Sequence, residues 1–263
     1  DITDISVTVK LELEDEKGTF LLAWTTTPWT LPGNMAAAVN ADALYVQARK
    51  GGEAYIVAKE RLSVLGEGAE VEKEFKGKEL AGKKYLPPFA YYQNADIKDK
   101  ENAWKVYTAP FVTLEDGTGI VHIAPAFGAD DMELAKKEGI PLVHHVGMDG
   151  KFKPEVSDFA GMLVKPKDNH QAADIEIIRY LAGKALLFAK EKIIHSYPHC
   201  WRCDTPLLNY AASSWFVKVT AIKQDIIEEN RTAEWVPEEI RDGRFGKWLE
   251  GAPDWAISRS RYW

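Results

Sequence analysis

The chain contains no run of about 18 apolar residues, so no segment of it reads as a membrane span. Only two cysteines, Cys200 and Cys203, occur in 263 residues, which argues against a secreted disulfide scaffold and leads us to expect a reducing, cytoplasmic setting. The first residues, Asp1-Ile2-Thr3-Asp4, carry no secretory signal pattern. There is no initiator methionine, and the last residues, Ser258-Arg259-Ser260-Arg261-Tyr262-Trp263, are patterned like folded sequence, so the chain reads as a piece of a longer protein. Positive charge is outnumbered, 33 lysines and arginines standing against 40 aspartates and glutamates. A net charge of −7 counts against a protein that grips long stretches of nucleic-acid backbone, though not against one that receives a single-stranded 3′ end. The lysines at 73, 76, 78, 83 and 84, and at 98, 100 and 105, read as solvated faces. Asp116-Gly117-Thr118-Gly119 lacks both the Gly-x-Gly-x-x-Gly spacing and a Walker lysine, which excludes a phosphate loop.

What is present points to a mixed, β-rich α/β chain. Val7, Val9, Leu11 and Leu13 alternate with polar residues, as in a half-buried strand. Asp15-Glu16-Lys17-Gly18 then makes a hairpin turn into a return strand over 19–24. A second hairpin is expected over 44–57 around Lys50-Gly51-Gly52, with a short helix over 58–65. Residues 104–111, 119–123 and 141–146 read as strands. A helix is expected to open on an Asp130/Glu133 capping box and to end at Gly139; a second opens near Asp168 with Gln171 and buries Ala172, Ile175, Ile178 and Leu181. We expect a β-barrel-like domain with a few short helices over residues 1–190, and a connecting appendage over 191–263.

Two segments carry the chemistry. Trp24-Thr25-Thr26-Thr27-Pro28-Trp29-Thr30-Leu31-Pro32-Gly33-Asn34 places four hydroxyls within six residues, and its prolines are expected to keep it out of regular structure. Gly117 to Asp131 carries His122 on a strand and two carboxylates at a helix start. Buried polar groups are costly without partners, so the two segments read as walls of a small polar pocket. From its residue type alone Asp131 is a carboxylate suited to the positive end of a helix, and His122 a histidine satisfied within the fold. Ser213 and Ser214 have no base nearby in sequence.

Both segments resemble the signature segments of the editing domain (connective polypeptide 1) of isoleucyl-tRNA synthetases, in the class I synthetase family. Valyl and leucyl enzymes typically carry Thr-Thr-Arg-Pro in the first segment; Thr27 stands in place of that arginine. Gly33 departs from a common alanine, and Ala126-Phe127 from a frequent Gly-His pair. The similarity continues through Tyr197 to Leu207, Ser214 to Val217 and Trp255 to Trp263.

The resemblance implies a hydrolase that removes valine wrongly attached to isoleucine tRNA. A single methylene distinguishes substrates by only about 1–3 kcal/mol, a limit for which the isoleucine enzymes are the usual example, so a second pocket sorts by size. It implies Thr25, Thr26, Thr27 and Asp131 as catalytic residues. Trp24, Thr30, Asn34, His122 and again Asp131 would bind substrate, with Asp131 holding the α-ammonium and His122 gating side-chain size. The implied partners are the valine-bearing 3′ end of tRNA(Ile) and the rest of the synthetase chain; the chain itself is expected to be monomeric. The editing chemistry needs no cofactor or metal. Cys200 and Cys203 have metal-ligand spacing but supply only half of a structural zinc site, to be completed elsewhere in a full-length enzyme. No His-Ile-Gly-His or Lys-Met-Ser-Lys-Ser motif is present, so amino-acid activation is not expected. Two other readings stay open: a module that binds the tRNA end without hydrolysis, and a valyl-type domain that clears threonine.

Overall fold

In a computed structural model that describes residues 1–258, the alternating N-terminal segment forms β1 (Ile2–Glu12). The turn that follows returns the chain as β2 (Thr19–Thr25), antiparallel to β1 with Leu11 opposite Leu21. Gly18 supplies the positive φ of 78° that this turn needs. Then come β3 (Ala36–Val39), β4 (Leu44–Lys50) and β5 (Glu53–Ala58). Lys50 pairs with Glu53, which leaves Gly51 and Gly52, both at positive φ, as a two-residue hairpin loop. The sheet is completed by β6 (Glu70–Lys76), β7 (Lys105–Thr108), β8 (Ile120–Ile123) and, after helices α1 (Ala129–Glu138) and α2 (Ala172–Gly183), by β9 (Leu187–His195).

The nine strands form one mixed sheet in the order β6-β4-β5-β2-β8-β3-β7, with β1 on the other edge of β2 and β9 beyond it. One edge of β2 is shared: Thr19 to Leu21 pair with β5, and Trp24 pairs with Val121 of β8. Bridges from Lys84 to Lys105 and from Tyr85 to Leu13 tie β7 back to the end of β1. The strands β1, β2, β8, β3 and β7 thereby curl into the expected barrel-like arrangement. Val7, Val9, Leu11, Leu21, Ala23, Ala37 and Val39 fill its interior, all fully buried. Side-chain alternation explains why the same strands offer one face to this core and the other to their surroundings.

Several expectations are corrected. The first helix has Gly128 as its N-cap, and Asp130 lies inside the first turn, so no Asp130/Glu133 capping box forms. The second helix opens at Ala172, and Gln171 donates to the Thr3 carbonyl instead of completing a box. Its buried face is Ala173, Asp174, Ile177, Ile178 and Leu181, a rotation that brings a carboxylate into the core. Residues 141–146 are not a strand; only Val146 bridges, to Phe152. Both histidines there point elsewhere: His144 to the Ala211 carbonyl at 2.7 Å and His145 to the Trp29 carbonyl at 3.0 Å.

The chain divides into two units, Asp1–Ala211 and the residues from Ala212 onward. The division falls later than residue 190 because β9 runs to His195, paired with Ile2 of β1, and Ala211 donates to the Ala126 carbonyl at 2.8 Å. The second unit pairs β10 (Phe216–Val217) with β11 (Trp255–Ala256) and contains α3 (Val219–Thr232), α4 (Glu239–Asp242) and α5 (Arg244–Glu250). Residues 259–263, the end of the last similar segment, lie outside the described residues. No helix among the described residues is long and apolar enough to cross a membrane.

Candidate active site

The threonine-rich segment leaves β2 at Thr25 and winds into a 3-10 helix over Pro28–Gly33. This corrects the expectation that its prolines bar regular structure. Pro28 sits at the first helical position, where a missing N–H costs nothing. Pro32 has a second consequence. In a 3-10 turn its N–H would have bonded the carbonyl of Trp29, three residues back; that carbonyl takes its hydrogen bond from His145 Nε2 instead, at 3.0 Å. The Trp29 N–H, an orphan of the first turn, is taken by Asp174 Oδ1 at 3.0 Å. Both backbone polar groups of Trp29 are thus held by side chains more than a hundred residues away.

The hydroxyls of this turn form a chain. Thr25 Oγ1 lies 3.3 Å from Thr27 Oγ1, which lies 3.3 Å from Thr30 Oγ1. Thr25 Oγ1 also accepts the Thr27 N–H at 3.1 Å. Thr30 Oγ1 then meets His122 Nε2 at 2.7 Å, and His122 Nδ1 meets Asn34 Nδ2 at 3.1 Å. Asn34 closes the chain: it gives a second N–H to the Ala36 carbonyl at 2.9 Å and receives the Tyr85 hydroxyl at 2.7 Å. The Trp104 indole N–H holds the Asn34 carbonyl at 3.0 Å.

This geometry fixes the protons. The single hydroxyl proton of Thr30 goes to the Thr27 carbonyl at 2.8 Å, so His122 must donate from Nε2. Its Nδ1 is then the acceptor for Asn34, and the ring is neutral. Burial drives the His122 pKa down to about 3, with His145 adding to the effect. His145 is likewise pushed down to about 4 by burial. His122 is 6% exposed and sits on β8 opposite Ala37 of β3. With one nitrogen donating and the other accepting, it is a fixed neutral ring and not a free base.

Asp131 lies at the end of the same strand. Its Oδ2 accepts the Ala124 N–H at 2.8 Å, two residues beyond His122, and Gly128 makes room for it: a β-carbon there would stand 2.8 Å from the carboxyl carbon. Burial raises the Asp131 pKa to about 6, against the Ala124 hydrogen bond and helped by neighbouring Asp130. Among the described residues no lysine, arginine or histidine forms a salt bridge with it.

The structure therefore joins Thr25, Thr27, Thr30, Asn34 and His122 in one network, and ties Asp131 through the Ala124 N–H to the chain just past the strand that carries His122. Thr26 is half-buried and outside the network. Trp24, on the opposite face of β2, packs its ring over Gly117 and lines a separate cleft of about 310 Å³ with Ser6, Thr8 and Arg61. Cys200 and Cys203 sit in a turn closed by Cys200 N–H to the Thr205 carbonyl at 2.9 Å and Asp204 N–H to the Cys200 carbonyl at 2.8 Å. No group of three or more potential metal ligands exists among the described residues. Sequence reasoning missed Tyr85, Trp104, His145 and Asp174. Only the adjacent pair His144-His145 offered any signal.

Residues 39–263 match the family model of class I tRNA synthetases (I, L, M and V). This chain belongs to that family. Isoleucine–tRNA ligases of Bacillus thuringiensis and Clostridium acetobutylicum are each 47% identical over the whole chain. The chain spans about a quarter, 24%, of the length of these relatives. The crystal structure of GlLeuRS-CP1 covers 74% of this chain and all of its own at 16% identity and a TM-score of 0.53, a likeness of fold.

Proposed function

We propose that this class I synthetase chain is the editing region of an isoleucine enzyme, and that it hydrolyses the ester of valine attached to tRNA(Ile). The observation that carries this reading is Asp131: a largely buried carboxylate, at the end of the strand bearing His122, with no cationic partner among the described residues. An aminoacyl ester brings an α-ammonium, which would neutralise that carboxylate where water is scarce. The ester is already activated, so the reaction needs a positioned water and donors for the developing oxyanion more than a strong nucleophile. In this reading the hydroxyls of Thr25, Thr26 and Thr27 would hold the water and the terminal adenosine, being the donors and acceptors of one short turn. His122 is neutral and fully engaged, which suits a size-selecting wall better than a proton carrier. A wall fixed on both nitrogens yields little to the extra methyl of isoleucine.

The partners in this reading are the 3′ end of tRNA(Ile) and the remainder of the synthetase. The test is deacylation of Val-tRNA(Ile) and Ile-tRNA(Ile) by this chain at high concentration, and by the longer synthetase, with Asp131→Asn alongside. Selective loss of valine, abolished by the substitution, is expected. Equal treatment of both esters, or activity indifferent to Asp131, would overturn the reading. Clearance of Thr-tRNA(Val) instead would favour a valyl-type domain, and tight binding without turnover a docking module.

A further inference from the structure

Behind the threonine turn lies a cluster of charge that the proposed hydrolysis does not use. Lys165 Nζ donates to Asp4 Oδ1 at 2.9 Å and to Asp174 Oδ2 at 3.0 Å, and all three side chains are at most 1% exposed. The other oxygen of Asp4 faces His195 Nε2 at 3.0 Å, while His170 Nε2 approaches the first at 3.4 Å. The other oxygen of Asp174 holds the Trp29 N–H. Asp4 is on β1, His195 on β9, Asp174 on α2, and Lys165 in the segment before α2.

Burying three charges is expensive, and a well-packed apolar substitute is often as stable. The arrangement does provide something an apolar cluster cannot, an acceptor of fixed position for one particular backbone amide. Without it the Trp29 N–H would be a buried, unpaired donor at the start of the 3-10 turn, because no earlier carbonyl of that turn can reach it. Both oxygens of Asp174 are committed, one to Lys165 and one to Trp29, so its carboxylate cannot rotate away.

We infer that the Asp4–Lys165–Asp174 cluster is the device that sets the threonine turn, with Asp174 a positioning residue acting through the Trp29 amide on Thr27 and Thr30. The importance of that turn for hydrolysis rests on the editing reading above; the hold itself does not.

Amide hydrogen exchange on the 263-residue chain tests it, compared between wild type, Asp174→Ala and Asp174→Asn. In Asp174→Ala, Lys165 and Asp4 remain as a neutral pair, so the sheet is expected to stay folded. Exchange over residues 28–33 should accelerate at least about tenfold, while the paired strands β1 and β2 keep wild-type protection. Asp174→Asn keeps one acceptor oxygen, shared between Trp29 and Lys165, and should lose less; it also serves if the alanine variant does not fold. Deacylation of Val-tRNA(Ile) is followed in parallel, with kcat falling more than KM rises, since the turn is displaced and Asp131 is not. Unchanged protection at 28–33 in both variants, or a loss spread evenly over the sheet, would overturn the inference. A wild-type chain and synthetase without deacylation would sink the editing reading, and the exchange comparison would still decide the hold.

Discussion

Two regions of this molecule bury carboxylates, and they do so in opposite ways. Asp4 and Asp174 share Lys165 within hydrogen-bond distance, and every oxygen has a partner. Asp131 has one backbone N–H and no cation among the described residues. In both regions burial raises a carboxyl, Asp174 to about 6 even against Lys165, and Asp131 to about 6 without such help. The first has a cation of its own in Lys165 and belongs to the framework; the second has none among the described residues, at the place where a substrate ammonium is proposed to sit. A largely buried carboxylate without a cation is a cost to the fold, and its place next to the strand that carries His122 is the physical ground for proposing a function for it.

The comparison is broken most directly at Lys165. Lys165→Met leaves two carboxylates facing each other without their cation and should destabilise the first unit by roughly 3–5 kcal/mol, read as a fall in its thermal midpoint. A loss no larger than that of a surface lysine would mean that the cluster is not closed to water. At Asp131 the expected pattern is reversed. Asp131→Asn keeps an acceptor for the Ala124 N–H but loses the charge, so deacylation kcat/KM should fall on the order of 100-fold while the fold survives. If activity and stability fell together, Asp131 would be framework like Asp174. Smaller again is Gly33→Ala. A β-carbon at Gly33 would stand 2.1 Å from His145 Nδ1, and overpacking of this kind costs about 1–3 kcal/mol. Since the same ring holds the Trp29 carbonyl, the substitution should also loosen the turn; pairing it with a smaller residue at 145 should recover packing but not that hydrogen bond.

The same contrast explains what was legible in the sequence. Strands β1 and β2 could be read because Val7, Val9 and Leu11 alternate with residues on the other face, a local signal. The site was legible in part because its hydroxyls lie in one short segment, and because His122 and Asp131 follow a strand and open a helix. The hold on that segment was not legible. Asp174 reaches Trp29 across 145 residues, and Lys165 reaches Asp4 across 161. In a sequence window each reads as an ordinary surface charge, and Asp174 even interrupts the apolar face predicted for its helix. The Asp130/Glu133 box failed for a related reason: the chain enters the helix through Gly128, so Asp131 reaches back to Ala124 instead of an aspartate capping its own turn. Trp24, which the resemblance implies as a substrate-binding residue, lies on the opposite face of β2 from Thr25, because a strand points neighbouring residues to opposite faces.

The finest test of the comparison is how stability depends on pH. Burial holds the Asp131 proton in the folded chain up to about pH 6, whereas the unfolded chain releases it near the ordinary aspartate value of 3.8. Between those values the folded state binds more protons, so stability falls as pH rises through that window and the cost is fully present above it. Below about pH 4 both states are protonated and the charge costs nothing. Asp174 slopes in the same direction, so the wild-type curve is a sum of at least two groups. The difference between wild type and Asp131→Asn isolates one of them. It should be near zero at pH 3.5 and grow to about 1–3 kcal/mol in favour of the asparagine variant at pH 7, measured by denaturant unfolding at each pH. A flat difference would place Asp131 in contact with water or with a cation, and the case for a waiting ammonium site would go with it. A difference that grows as expected, and then shrinks when a non-hydrolysable valyl-adenosine analogue is added, would tie the cost of that charge to the substrate that relieves it.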